Sequence, residues 1–566
     1  MLRRARLVLI VVSLAFSLAG AVHPAHADGR SLPALAETPD DALAAALREG
    51  RLSEARYALA RALSLFELEA VRARHGAVQR PDRRAATLVL RDLYVRLDEL
   101  SPGDRALAER ILSRPTDGNN PGEHRYSAHA LETLQSICPA EYCISWVTAS
   151  SDAVPPADAN QNGRPDYVDS VIEVMTEVWS EEIVALGFRP PKADDDSPTA
   201  LDPDGRIDIY LTDVGAEGGL FGFCTSDDPK GPPGYPGLDA SAYCVLDNDY
   251  TPTQYPITSG VPALQVTAAH EFFHAVQFAY SALQDRWLME ATAVWMEDQV
   301  FDDVNDNYGY IQYGPIAFPD APLDSTPLDR SHRLGLYPYG AFVFFEFLSE
   351  NLAPGIVREI FEKADGAPGQ PGYFSTPGLE LALEARGVRF RDVFAAFGAA
   401  NVDPPTAYEE GADWRFFDRR GRSEPAAVPL PPPIVLTSKR PERSGALALD
   451  HMSNGYVILQ PGRKVAPRAR LTVSVDGPPA ATGPGATLLT VTAAGKLRTR
   501  RMPLDAAGRG SRAIPFGRVR LVVLVLTNAS TRFEGCLASF AAVQYTCAGF
   551  PLDDGLRFRY TASLRP

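Results

Sequence analysis

The rhythm of hydrophobic and polar positions changes three times along this chain. From Leu35 to about Arg114, apolar residues recur at helical spacing among Ala, Leu, Arg and Glu. The stretch DDALAAALREGRLSEARYALARALSLFELEAV predicts a helix to Glu49, a stop at Gly50 and a second helix from Ser53. A third is expected through RRAATLVLRDLYVRLDEL, and SPGDRALAERILSRP reads as a fourth, opened by Ser-Pro and closed by Pro. From about Asp117, Gly, Pro, Asn and Asp become frequent, with short strands expected in CISWVTAS, RIDIYLTDV and SAYCVLDND. Helical periodicity then returns in Tyr167 to about Ile183, Ala263 to Leu283, Trp287 to Val300 and Tyr339 to Asn351. Beyond the linker-like NVDPPTAYEEGADW and EPAAVPLPPPI, strand patterns take over in GYVILQ, RLTVSVDG, ATLLTVTAAG, VRLVVLVLTNAS and LRFRYTASL. In the last of these, Phe558 and Tyr560 alternate with Arg557 and Arg559, the pattern of a half-buried strand.

These rhythms predict a multidomain α+β protein, and 566 residues are too many for one hydrophobic core. The expected order is a signal peptide (1–27), a helical segment (28–116), an α+β catalytic domain (117–401), a linker (402–431) and a C-terminal β-sandwich (432–566). The helical segment is either a removable prosegment or an ordinary structural module. In the first 30 residues, Arg3, Arg4 and Arg6 precede an apolar run from Leu7 to Val22. Pro24 then leads into Ala25-His26-Ala27, with small residues at the two positions a signal peptidase inspects, so export is expected, to the outside of the cell or the periplasm. No second apolar run is long enough to span a bilayer, so no membrane insertion is expected once the signal is removed. Six cysteines fall in close pairs, Cys138 with Cys143, Cys224 with Cys244 and Cys536 with Cys547, and local bridging is the simplest expectation in an oxidising compartment. None forms a CxxC motif. The net charge of −16 argues against a nucleic-acid partner. A monomer acting on proteins or peptides is the expected state.

The candidate chemistry lies in TAAHEFFHAVQFAYSALQDRWLMEATAVWMED, Thr267 to Asp298. Four residues turn a helix by about 400°, so His270 and His274 share one face and can share a metal. Glu271 stands beside the first histidine, placed to reach a metal-bound water rather than the metal. This is the HExxH arrangement, in which zinc acidifies the water and the glutamate carries its proton to the leaving amine. Two glutamates follow, Glu290 and Glu297. They share a helix face but stand about 10 Å apart along the axis, so only one can reach a metal fixed by the two histidines.

HEFFHAVQ followed by WLMEATAVWMED resembles the gluzincin branch of zincin metallopeptidases, in which a second helix supplies a glutamate as third zinc ligand. The chain is also similar to a family of bacterial secreted metallopeptidases, in DANQNGRPDYVDSV, RIDIYLTDVG and SAYCVLDNDY before the site and VFDDVNDN after it. The likeness covers about residues 120 to 400 and implies a zincin-like catalytic domain that hydrolyses peptide bonds. With the geometry, it makes Glu290 the expected third ligand, in the first turn of a helix antiparallel to the first. Ala291 and Ala293 allow close approach, and Trp287 and Trp295 are expected to wedge the two helices together. Glu297 is expected behind the ligands or at the surface. The run LYPYGAFVFFEFLSE resembles the segment by which some gluzincin aminopeptidases present a tyrosine to the oxyanion. Matching Pro-Tyr and Gly-Phe picks Tyr339, though this chain is two residues shorter between them, and Tyr337 and His332 are rivals.

A second constellation is DANQNGRPDYVD. Asp158, Asn160, Asn162, the Arg164 carbonyl, Asp166 and Asp169 occupy positions 1, 3, 5, 7, 9 and 12 of a calcium loop, with Gly163 at the tight turn. Asp169 replaces the usual glutamate, and Pro155 and Pro156 exclude a preceding helix. The alternative is an Asx-rich turn that caps the next helix. DPDGRID (Asp202, Asp204, Asp208) reads as a turn, and the acids from Glu297 to Asp306 as a solvated helix end. The functional expectation is a secreted zinc endopeptidase. An exported binding or adhesion protein with an inactive zincin domain is the alternative, but such a protein has no need of Glu271. No G-x-S-x-G elbow supports a serine hydrolase.

Overall fold

In the computed structural model, side-chain caps set where the N-terminal helices begin. Asp41, Ser53 and Ser101 accept hydrogen bonds from first-turn N–H groups of α1 (Ala42–Arg48), α2 (Glu54–Phe66) and α5 (Pro102–Ile111). Between them lie α3 (Leu68–His75) and α4 (Ala86–Tyr94). The structure describes residues 41–565 except 118–124, 201–203, 217–218, 232–237, 328–333, 367–372, 419–420 and 537–542. The signal segment expected over 1–27, Asp202 and His332 lie outside these residues.

The protein is a mixed α+β fold with several sheets, and residues from Asp41 onward cluster as one compact unit. A short helix α6 (Ala128–Leu131) leads into a five-stranded sheet of β1 (Gln135–Ile137), β2 (Tyr142–Trp146), β3 (Ile207–Thr212), β4 (Gly222–Thr225) and β5 (Tyr243–Asp247). Its order is β1-β2-β3-β5-β4, parallel through β2, β3 and β5, with an antiparallel strand at each edge. The central strands are buried along their length, as continuous apolar runs require. Helix α7 (Asp166–Trp179), which passes into a π-helical turn at Ser180–Ala185, packs on helix α8 (Val261–Tyr280), which packs on β4 and β5, and the Tyr142 hydroxyl of β2 donates to the Ile172 carbonyl of α7.

α8 is buried on every side from Ala263 on, except Gln265, because its composition is apolar all round. After a five-residue connection comes α9 (Arg286–Val300), followed by α10 (Tyr337–Gly340), α11 (Phe342–Leu352), α12 (Gly355–Lys363), α13 (Ser375–Ala385) and α14 (Phe390–Ala400). The single helix expected over Tyr339–Asn351 is therefore broken at Ala341. Gly340 there meets Gly314 so closely that a Cβ on either would strike the other's backbone. α4 shares one core with the sheet and α8: Leu88, Leu90 and Leu93 belong to the same buried cluster as Phe223, Phe273 and Trp295.

The C-terminal strands form two further sheets. One, of four antiparallel strands, holds β7 (Glu442–Leu449), β14 (Leu556–Arg565), β9 (Arg470–Asp476) and β12 (Arg509–Pro515), in that order. The other holds β11 (Leu497–Arg501), β10 (Pro484–Thr492), β13 (Val519–Asn528), β8 (Ser453–Pro461) and β6 (Ile434–Leu436). Both line one apolar core, and Phe558 and Tyr560 enter it from β14 while Arg557 and Arg559 face out. α14 covers the outer face of the five-stranded sheet, where Ala399 meets Tyr456, Leu489 and Val523.

Polar contacts join this module to the rest of the chain, among them Tyr456 donating to the Gly398 carbonyl and Thr531 donating to Glu380. Buried His451 bridges Asp324 (Nε2 to Oδ1, 2.9 Å) and Asp554 (Nδ1 to Oδ1, 2.6 Å). Asp285, just before α9, accepts from the Cys547 backbone N–H at 2.7 Å. Cys138–Cys143, Cys224–Cys244 and Cys536–Cys547 are disulfide bonded, pairings that belong to an oxidising compartment. Among the described residues no single helix is long and apolar enough to cross a membrane.

Candidate metal centre

The HExxH helix and the helix after it run antiparallel, as their side-chain partners show. His270 meets Glu297, His274 lies near Glu290, and Gln277 donates to the Met289 carbonyl and the Thr292 hydroxyl. One ligand atom each from His270, His274 and Glu290 lies within a 4.8 Å span, and all three residues are buried. Glu290 Oε2 is 3.4 Å from His270 Nε2 and 3.9 Å from His274 Nε2.

Hydrogen bonds on the far side of each ring decide which nitrogens face inward. His270 Nδ1 lies 2.7 Å from Glu297 Oε1, and His274 Nδ1 lies 2.7 Å from Gln277 Oε1. Gln277 uses its amide protons on Met289 and Thr292, so its oxygen faces His274 and that ring donates from Nδ1. Both Nε2 atoms are left pointing toward Glu290. Among the described residues, His274 Nε2 and both Glu290 carboxylate oxygens are buried without a hydrogen-bond partner. Orphaned acceptors at such depth are costly unless something fills the space between them. Two imidazole nitrogens and a carboxylate are the donor set of a zinc site with an open fourth position, so the residues fit that ion.

Glu290 and Glu297 both touch His270, but at opposite nitrogens. The ring spans part of the axial distance between the two acids, which is how residues seven apart can serve one histidine. Glu297 is buried, 5 % exposed, and so is Asp298; only Asp302 and Asp303 of the expected solvated run are open to solvent. The tryptophans differ from expectation too. Trp287 donates to Ser375 and stacks on Phe345, while Trp295 donates to Ser349, so they anchor α9 to α11 and α13.

Glu271 lies beside the cluster with a partner that sequence reasoning missed. Its Oε2 accepts from the Thr87 hydroxyl at 2.7 Å, and that hydroxyl accepts from the Cys224 N–H of edge strand β4 at 2.9 Å. Burial pushes the Glu271 carboxyl up to about 7, against the pull of His270 and Thr87. Burial likewise raises Glu297 to about 7 and, with the His270 charge, lowers His274 to about 4. Burial would depress His270, but the Glu290 and Glu297 carboxylates outweigh it and hold its pKa well above the ordinary value.

Tyr339 stacks on His270, with ring centres 6.2 Å apart, and its buried hydroxyl has no hydrogen-bond partner among the described residues. Tyr310 stacks in turn on Tyr339, at 5.3 Å. Tyr337 points elsewhere, its hydroxyl donating to the Ala321 carbonyl. A cavity of about 570 Å³ opens over this group, lined among others by His270, Glu271, Glu297, Tyr310, Tyr339 and Arg84.

The Asp158–Asp169 loop lies elsewhere on the surface. Its side chains converge, but on one another: Asn162 N–H and Gly163 N–H donate to Asp158, and Asn160 and Asn162 donate to Asp169, which also pairs with Arg164. Asp166 accepts from the Ala159 N–H and opens α7. Asp204 makes the expected turn by accepting from the Arg206 N–H, whereas Asp208 joins Asp194 and Asp227 around the fully buried Arg114.

Of the signals in the sequence, only the HExxH spacing marked this neighbourhood directly. Gln277, three residues after His274, was visible as a helical neighbour. Thr87 and Arg84 carried no signal, because they lie almost two hundred residues away in a segment of ordinary helical composition. Comparison with protein-family models and with curated proteins found no match.

Proposed function

We propose that this chain is a secreted zinc-dependent metallopeptidase of the gluzincin type, built on a zincin-like α+β region and acting on protein or peptide substrates. The observation that carries the reading is the convergence of His270, His274 and Glu290 around buried, unpartnered acceptor atoms, with Glu271 beside them at a cavity. His270, His274 and Glu290 are the residues that would hold the ion. When bound, zinc supplies Lewis-acid polarisation and makes water more acidic.

The chain's own residues account for the rest. Glu271 takes a proton from water as the oxygen adds to the peptide carbonyl carbon, then delivers it to the nitrogen as the C–N bond breaks. Thr87 holds the Glu271 carboxylate in place through one oxygen. Tyr339 offers a free hydroxyl on the cavity wall, suited to donate to the oxyanion. Glu297 and Gln277 fix the rings of His270 and His274. The helical segment stays with the mature enzyme on this reading, since Thr87 and the buried leucines of α4 complete the site and its core. The C-terminal β-sandwich braces α9 through Asp285. The Asp158–Asp169 loop could take calcium only after Arg164 leaves Asp169.

The test is casein hydrolysis by purified protein, with and without chelator, alongside metal analysis. Wild type should hold zinc and cleave. Glu271→Gln should keep its zinc and lose about 10² to 10⁴ in rate. Zinc-loaded wild type that cleaves no protein or peptide would favour the binding-protein alternative.

A further inference from the structure

The cavity over the proposed peptidase centre has one guanidinium among its described lining residues. It belongs to Arg84, which lines the cavity together with three acids, Glu271, Glu297 and Asp306. Arg84 comes from the N-terminal helical segment, on the 3-10 turn Arg83–Ala85 just ahead of α4. Its guanidinium carbon is 5.9 Å from the Phe221 ring centre and 5.8 Å from that of Tyr310. These rings belong to two different parts of the cavity wall, Phe221 just before β4 and Tyr310 in the segment Asp306–Tyr313. Contacts to ring faces hold the planar group while leaving its N–H donors free. No carboxylate forms an ion pair with the guanidinium among the described residues, and the Asp82 side chain accepts from the Arg84 backbone N–H. Asp306 takes the Thr258 hydroxyl instead.

An aromatic-clamped guanidinium with unused donors, half-buried at a cavity wall, is matched to a planar anion that arrives from outside. Its distance from the reacting groups is bounded by the chain. Thr87, three residues on and so on the same side of the helix start, bonds Glu271 directly. An extended peptide advances about 3.3 to 3.6 Å per residue, so a bound anion would sit within about six residues of the cleaved bond. The net charge of −16 repels acidic chains at long range, so the attraction must be local.

Resting on the peptidase reading, we propose that Arg84 binds a substrate carboxylate, so that the cavity selects peptides with a negative charge near the cleaved bond. That carboxylate is either a free C-terminus or an Asp or Glu side chain.

The test measures peptide binding to zinc-loaded Glu271→Gln protein by calorimetry, so that ligand is not consumed. Four matched N-acetylated hexapeptides are compared: one of uncharged side chains with a C-terminal amide, the same sequence with a free acid end, and two amidated peptides with one internal Glu or one internal Gln. A preference of about tenfold or more for one anionic member over its neutral match is expected, and which pair shows it identifies the source of the carboxylate. Adding Arg84→Gln should abolish the preference and leave neutral peptides within about twofold, while Arg84→Lys should keep part of it. Equal binding of charged and neutral peptides, no binding of any, or a preference that survives Arg84→Gln overturns the proposal. Hydrolysis by wild type is scored separately. A carboxylate preference in a protein that cleaves none of the peptides would sink the peptidase reading and leave Arg84 as an anion receptor.

Discussion

Two buried regions of this molecule are built on opposite principles. The core between the two C-terminal sheets is a contiguous cluster of apolar side chains, and the strands around it are paired in ladders. The interface of α8 and α9 is as well buried, yet holds His270, Glu271, His274, Gln277, Glu290, Thr292 and Glu297, every one under a tenth exposed. The first arrangement gains stability from each contact. The second places several polar atoms without a hydrogen-bond partner among the described residues at depth beneath a cavity, which costs stability unless a ligand offsets it. The surrounding fold tolerates this because α4, α11 and α13 grip the helices from other sides. The difference teaches where to look for chemistry: at depth, a polar cluster with orphaned atoms is more informative than any surface cleft.

The comparison breaks most sharply at Glu290. Glu290→Ala should sharply lower zinc content in the purified protein. Glu297→Ala, which removes only the far-side partner of His270, should leave zinc bound with an affinity reduced about 10- to 100-fold. Metal analysis with chelator competition reads both, and the reverse pattern would transfer the ligand role to Glu297.

The apolar region should respond in stability alone. Leu524, fully buried between the sheets, leaves a cavity when truncated, and Leu524→Ala should cost about 2 to 5 kcal/mol. Denaturant melts should show that loss while zinc per folded molecule stays unchanged; parallel loss of zinc would mean the two regions are coupled.

The link between them should be visible in pH. Burial would depress His451, but Asp324 and Asp554 outweigh it and hold its pKa at about 9, against 6.5 for the free side chain. The folded state thus binds the proton more tightly than the unfolded one. Its contribution is fully present below pH 6.5 and is lost as pH rises through 9, up to roughly 3 kcal/mol. His451→Gln should flatten the stability profile across that window, and an unchanged slope would remove the clamp from the account.

The smallest effect is expected at Thr87. Thr87→Val keeps the shape but leaves the Cys224 N–H and Glu271 Oε2 without their partner, at about 1 to 3 kcal/mol. Turnover should fall about tenfold with zinc content unchanged; turnover equal to wild type would reduce Thr87 to packing.

Local periodicity and spacing were enough to place both histidines on one helix face with Glu271 beside them, to predict five of the nine strands in the two C-terminal sheets, and to pair the six cysteines. Each of these depends on residues close in sequence, where rise, turn and alternation are set by backbone geometry. Tertiary packing alone decided the rest. The two glutamates of α9 take opposite nitrogens of His270 because the helices are antiparallel and in this register. The tryptophans turn to α11 and α13 because those helices lie there. Thr87 meets Glu271, and Arg84 enters the cavity, because a distant helix packs its apolar face into the same core. No pattern within the N-terminal segment encodes those contacts, since what defines them is the surface on which that segment comes to rest.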